Sequence, residues 1–182
     1  LQAVEWYTNE AVRKALRAES TGDIANAKLF GNKAIESDLK AQGLRNETAA
    51  AWQAAGKPAN AQATWHRAAE MAKERAVMLN NRIAPLRSQW LMSIGKALPD
   101  EQEHEILYLQ SVFLTAQQWA LVVDFYKSAA EPDQAQAAIE QLQALLPSLQ
   151  RNSRLTVLAT DPRLAGSVEQ LQAWQKLVSR AP

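Results

Sequence analysis

The sequence predicts an all-α fold built from antiparallel helical hairpins, and three observations carry that reading. Apolar residues recur at three- and four-residue spacing along most of the chain, the pattern of helices with one buried side. Ala, Gln, Leu, Glu and Lys, all helix formers, are abundant, whereas a β-sandwich needs more β-branched residues and more turns. The chain breakers are few, 6 Gly and 7 Pro, and fall mostly between the periodic segments. At 182 residues with an apolar fraction of 47%, the chain can bury a core as one helical domain over 1–182. Within it, 1–84 reads as repeat-like hairpins and 86–182 as an apolar central hairpin with C-terminal helices.

The first helix runs from Gln2 to Glu19, with Val4, Ala11, Val12, Ala15 and Leu16 on one side. Ser20-Thr21-Gly22-Asp23 breaks it. A second helix extends to Gln42, with Ile24, Ala27, Gly31, Ala34, Ile35 and Leu39 inward and Gly43 as its stop. A third covers Glu47–Ala55 and ends at Gly56. Pro58 opens a fourth, which runs to Ile83 with a stripe of Ala61, Trp65, Ala68, Ala72, Arg75 and Leu79. Pro85 forces a stop or kink. A short helix then carries Trp90 and Ile94 to Gly95. Asp100 with Glu103 reads as a capping box after Pro99. Two very apolar helices follow, one holding Ile106–Leu114 and the other Leu121–Tyr126, expected as the central hairpin of the core. Glu131-Pro132-Asp133 opens an amphipathic helix closed by Pro147. Residues 148–166 are the least regular stretch. The last helix starts at Ser167 with Gln170 as a second capping box, and shows Val168, Leu171, Trp174 and Val178 to the core.

A shift of 34 residues aligns the first two helix pairs: Gly22 falls on Gly56, Ala25-Asn26-Ala27 on Ala59-Asn60-Ala61, Ala15 on Ala49 and Ala34 on Ala68. Ala18 aligns with Trp52 and Gly31 with Trp65, so small and large residues alternate between the units. This period, with Ala49, Trp52, Gly56, Ala61, Trp65 and Ala68 at its small and aromatic positions, resembles the tetratricopeptide repeat. A third unit, suggested by Phe113, Trp119, Val122, Tyr126 and Ala129, is out of phase. The resemblance implies that the first helix of each unit lines a concave protein-binding face. The outward polar positions there match Asn9 and Arg13 in the first unit and Asn46 and Gln53 in the second. An irregular bundle of hairpins is the alternative architecture.

Catalytic motifs are missing from the sequence. There is no hydrolase elbow, phosphate-binding glycine loop, dinucleotide fingerprint or zinc-protease motif, so no cofactor is expected. Glu101 and His104 have the Glu-x-x-His spacing of di-iron bundles, but a site needs that motif twice. Glu70 and Glu74, one turn apart, are too few for a magnesium-dependent hydrolase of the helical type. An enzyme or ligand binder would place His66, Glu70 and Glu74 around a deep pocket. The absence of cysteine rules out disulfides and thiolate-bound metal. No apolar run reaches the roughly 18 residues expected of a membrane-crossing helix. The net charge of +1 argues against nucleic acid as a partner.

Two features point toward protein partners. The six tryptophans, Trp6, Trp52, Trp65, Trp90, Trp119 and Trp174, read mainly as core fillers, but Trp6 and Tyr7 cannot both face inward, which makes Trp6 a candidate exposed anchor. Charge is segregated: residues 1–50 are neutral, 51–99 carry net +5, 100–149 net −7 and 150–182 net +3. Either the acidic segment docks internally between basic neighbours, or opposed faces steer partners or copies of the chain. The leading functional reading is a protein-interaction or scaffolding module. The alternatives are a self-associating structural domain of a larger membrane-associated or secretion assembly, and a helical enzyme or small-ligand binder. The sequence begins at Leu1, as a processed protein or an excised domain does. Its Gln- and Ala-rich, cysteine-free composition suits a bacterial cell-envelope protein.

Overall fold

A computed structural model describes residues 1–96 and 98–179, and every described regular element in it is helical. The chain is all-α. Its first hairpin joins α1 (Gln2–Ser20) to α2 (Ile24–Ala54) through Gly22, which sits at φ +75°. The Asp23 N–H reaches back to the Ala18 carbonyl at 2.8 Å and the Gly22 N–H to Glu19 at 3.0 Å. This is a left-handed cap that satisfies the last carbonyls of α1. The turn recurs between α2 and α3 (Pro58–Asn80). Gly56 lies there at φ +67°, with Lys57 N–H bonded to Trp52 at 2.9 Å.

It appears a third time between α5 (Leu98–Ser128) and α6 (Pro132–Gln150). The left-handed residue is now Ala130, at φ +61°, with Glu131 N–H bonded to Tyr126 at 2.9 Å. Pro58 and Pro132 both occupy the first helical turn, where no amide hydrogen is needed.

Several helix limits depart from expectation. α2 is one 31-residue rod, so Gly43 is not a stop and there is no separate helix at 47–55. Gly43 keeps an ordinary negative φ, and the buried stripe Ala34, Ala41, Arg45, Ala49 passes through it unbroken. The second helix of unit one and the first of unit two are therefore collinear. α5 is likewise a single 31-residue helix in place of the expected central hairpin, because Thr115-Ala116-Gln117-Gln118 contains no breaker. α6 runs through Pro147 to Gln150, with the proline in its final turn.

α3 ends three residues earlier than expected, and α4 (Ile83–Ser93) takes Pro85 into its first turn. Neither expected capping box forms. Asp100 lies inside α5, and the Ser167 hydroxyl is buried without a partner while Gln170 N–H bonds Gly166. After the short α7 (Leu155–Leu158) and a 3₁₀ turn at Pro162–Leu164, α8 (Ser167–Ser179) closes the fold.

α5 is the central element, as its all-round apolar pattern requires. Leu109, Val112, Val122 and Val123 are fully buried in the core that α5 forms with α3, α4 and α6. On α3 the facing residues Ala68, Ala69, Ala72 and Ala76 are all fully buried, and their small size lets the two helices approach closely. Trp90 stacks on Tyr108 at 5.3 Å, Phe113 meets Trp174 at 5.5 Å, and Trp65 stacks on Phe125 at 5.8 Å. By length and composition α5 could cross a bilayer, a possibility that a search for unbroken apolar runs passes over. Its apolar window is 61% buried within the fold.

Candidate interaction surface

The α1–α2 hairpin is turned inside out. Its only fully buried hydrophobic residues are Ala11, Ala34, Ala41 and Ala49, while Glu5, Thr8, Asn9, Ser37 and Arg45 are buried beside them. Trp6, Tyr7, Ile24, Leu29, Ile35 and Leu39 are exposed, six of the eleven large exposed hydrophobics among the described residues. Trp6 is 60% exposed, and Ile24, Ile35 and Leu39 are 71%, 64% and 65% exposed. The inward stripe expected of α1 is correspondingly shifted: Ala11 is buried and Val4, Val12, Ala15 and Leu16 are half-buried, but Glu5, Thr8 and Asn9 hold the deepest positions. In α2, Ile24, Ile35 and Leu39 point outward where they were expected inward.

Those three residues, 11 and 4 positions apart, fall on one stripe, because 11 residues make about three turns. Gly31 lies between them, and a Cβ there would meet nothing within 4 Å. A glycine inside a helix costs roughly 1 kcal/mol relative to alanine, and no close approach within this chain explains it. Beside the stripe, an open groove of about 550 Å³ runs between α1 and α2, lined by Ala3, Val4, Tyr7, Lys33, Ser37 and Lys40 among others.

A buried ionic brace holds this hairpin to the rest of the molecule. Glu5 is 0% and Arg45 2% exposed, with 3.8 Å between carboxylate and guanidinium. Arg67 approaches the other Glu5 oxygen at 3.6 Å, and Asp38 lies 3.3 Å from Arg75 and 3.8 Å from Arg45. These are ion pairs without hydrogen-bond geometry: neither Glu5 oxygen has a hydrogen-bond partner among the described residues. Desolvation pushes the Glu5 carboxyl above its ordinary range against the pull of Arg45, Arg67 and Arg75, and burial lowers Arg75. Arg45 recovers part of its lost hydration over the Phe125 ring, 4.9 Å from its centre.

The five residues singled out from sequence do not form one face. Asn9 is 1% exposed and lies inside the brace: its amide donates to the Met71 carbonyl at 3.2 Å and to Glu74 at 2.6 Å, and its oxygen accepts from Arg75 at 2.9 Å. It is a core residue here rather than an outward one, because α3 packs alongside α1 where a regular repeat array would leave the position open. Arg13 is exposed but paired with Glu10 and Glu74. Asn46 and Gln53 are exposed on α2, and Trp6 is exposed on α1. Trp52, expected in the core, instead lines a second groove of about 640 Å³ with Thr48, Asn60, Thr64 and Arg67. The exposed Ile24, Ile35 and Leu39 were masked by their own helical spacing, which reads the same whether a stripe faces in or out.

The residues considered for chemistry are engaged elsewhere. His66 lies 2.9 Å from Glu131, Glu70 accepts from the Tyr126 hydroxyl, and Glu74 binds Asn9 and Arg13. No cluster of three potential metal ligands occurs among the described residues. Charge segregation is partly internal: the acidic segment 100–149 meets its basic C-terminal neighbour as expected, while Lys and Arg of 51–99 pair mainly with 1–50 instead. Cations of 51–99 meet acids of 1–50 (Arg67–Glu5, Arg75–Asp38, Arg82–Glu19), and acids of 100–149 meet Arg154 and Arg163. Compared with known proteins, the chain matches no family model, and no curated protein or solved structure matches it significantly.

Proposed function

We propose that the chain is a protein-interaction module acting by surface complementarity, and that the outer face of the α1–α2 hairpin meets the partner. What supports this is the inversion of that hairpin: polar and charged groups occupy its interior while Trp6, Tyr7, Ile24, Ile35 and Leu39 stay in water. Isolated exposed hydrophobics are ordinary, but several gathered on one element mark a contact surface. The repeated turn at Gly22, Gly56 and Ala130 is in keeping with descent from helical-hairpin repeats of the tetratricopeptide kind; the collinear units of α2 depart from that family's pattern.

The test is capture of partners from source-cell lysate by the tagged chain, compared with an Ile35→Asp/Leu39→Asp variant. The expected outcome is loss of the captured protein with unchanged circular dichroism. A partner retained at full yield by the variant sinks the assignment of this face.

A further inference from the structure

A second site stands apart from that hairpin. Arg87 and Trp90, three residues apart, share one side of α4, and the Trp90 ring stacks on Tyr108 of α5 at an interplanar angle of 13°. Ser148 and Arg151, also three apart, share one side of the end of α6. Together with Asn152 these residues line a cavity of about 270 Å³, whose wall holds two guanidinium groups and no carboxylate. The acids of the neighbouring part of α5 are engaged elsewhere: Glu101 and Glu105 pair with Arg154, and Glu103 pairs with Arg163. Arg87 and Arg151 make no ion pair among the described residues. Asn152 is engaged at both ends, its amide donating to Glu105 at 2.8 Å and its oxygen accepting from the Arg154 N–H at 2.9 Å.

Other donors of the wall lack acceptors. The Trp90 indole N–H is buried with no hydrogen-bond partner, and Tyr108, only 5% exposed, makes no hydrogen bond through its hydroxyl among the described residues. Buried donors in folded proteins are matched, and each exception asks for a partner. We propose that this cavity binds a phosphate group, inorganic or at the end of a small phosphomonoester, between the guanidiniums of Arg87 and Arg151. Two cations balance a group that carries about −1.5 to −2 at neutral pH, whereas a carboxylate leaves one of them uncompensated. Each guanidinium presents parallel N–H groups that match such an oxyanion, and the Tyr108 and Ser148 hydroxyls are further donors beside them. The cavity is smaller than the roughly 300 Å³ at which pockets for drug-sized ligands begin, which suits a phosphate with a short organic group and not a nucleotide. Arg151 also lies at the negative end of the α6 dipole, a place that favours a cation by itself. Arg87, midway along α4, has no such reason to border the cavity.

Calorimetric titration of the intact chain with inorganic phosphate and with phenyl phosphate, at an ionic strength held constant with sodium chloride, tests this. Binding should saturate at one site with a dissociation constant below about 1 mM. Arg87→Gln and Arg151→Gln should each weaken it roughly tenfold or more, and Tyr108→Phe about threefold, as the loss of one neutral hydrogen bond does. Arg17→Gln, which removes an exposed arginine of α1 that likewise makes no ion pair among the described residues, should leave it unchanged. The Trp90 indole N–H resonance, assigned through Trp90→Phe, should move on adding phosphate while the other tryptophan signals stay. Phenyl phosphate held tighter than inorganic phosphate identifies an ester as the occupant, and phenyl phosphate held no tighter identifies the free anion. No saturable binding of either probe up to ~10 mM, or binding that Arg17→Gln weakens as much as Arg87→Gln does, overturns the proposal. The two arginines are then a solvated face and the cap of α6.

Discussion

Ala130 does the work that Gly22 and Gly56 do, but with a side chain. All three hold a left-handed φ at the same position of the same cap, between 61° and 75°. An L-residue there is strained by roughly 1–2 kcal/mol, part of which glycine gives back through a more flexible unfolded state. Ala130→Gly should therefore stabilise the protein by about 0.5–1 kcal/mol, while Gly22→Ala and Gly56→Ala should destabilise it by a similar amount. Space is not the reason at the glycines, since a Cβ at either meets nothing within 4 Å. Urea denaturation midpoints of the three variants check this, and a sign common to all three defeats the account. Glu131-Pro132-Asp133 marks a helix start after the third turn, but Ala130 explains why that turn's kinship with the first two is hard to see in the sequence. It stands 74 residues after Gly56, off the 34-residue period, and carries no glycine to mark it.

At the scale of elements, helix type was legible and helix limits were less so. Gly43 has the composition of a stop but lacks the left-handed backbone that makes one, and a buried stripe running through it keeps α2 whole. The candidate site suffered from a related ambiguity. Periodicity places Ile24, Ile35 and Leu39 together without saying which side of α2 is covered, and the buried side is settled by long-range partners such as Arg75 and Phe125. The brace those partners form makes a prediction of its own. Arg45→Met leaves the Glu5 carboxylate buried with one cation fewer, and breaking a buried pair in this way costs about 3–5 kcal/mol at neutral pH.

The cost depends on pH with a definite sign. Glu5 titrates above its ordinary 4.5 in the folded state, so below that value it is protonated in both states and its burial carries no charge penalty. The penalty grows as pH rises from 4.5 toward the folded pKa and levels off above it, and removing Arg45 raises that folded pKa further. The stability gap between wild type and Arg45→Met should therefore be smaller near pH 4.5 than at neutral pH. Carboxylates that Arg45 does not approach drop out of the difference; Asp38, 3.8 Å from Arg45, is the exception, and Asp38→Asn in both proteins removes it. A gap independent of pH would show that Arg45 acts through packing on Phe125 rather than through Glu5.

For the whole molecule, the ion pairs divide the fold in two. The hairpin α1–α2 is tied to α3 by Arg67 and Arg75 and to the α3–α4 turn by Arg82, and the N-terminal half of α5 is tied to the C-terminal region by Arg154 and Arg163. Among the described residues the one acid–base contact between α3 and the α5–α6 turn is His66–Glu131, at 2.9 Å. The second tie responds to acid in the opposite sense to Glu5. Arg163 bonds both oxygens of Glu103, at 2.6 and 2.9 Å, and holds Asp161 at 2.9 Å. Hydrogen bonds from Arg163 lower the Glu103 carboxyl below its ordinary 4.5 and take Asp161 from 3.8 to about 2.

Groups lowered in the folded state stabilise it above their unfolded pKa values and lose that contribution as pH falls through the folded ones. The Arg163 tie is thus intact above about 4.5 and is lost progressively toward about 2. Because Arg163 also anchors the 3₁₀ turn that leads into α8, the loss should be local before it is global. Hydrogen exchange on lowering pH, corrected for the intrinsic exchange rate, should show α7, the 3₁₀ turn and α8 losing protection ahead of α3 and the centre of α5. Arg163→Ala should show that reduced protection already at neutral pH and little further local loss on acidification. Protection that falls uniformly across the chain in both proteins would mean that the C-terminal elements are held by Leu164, Leu171 and Trp174 packing on α5 and α6, and not by the arginine.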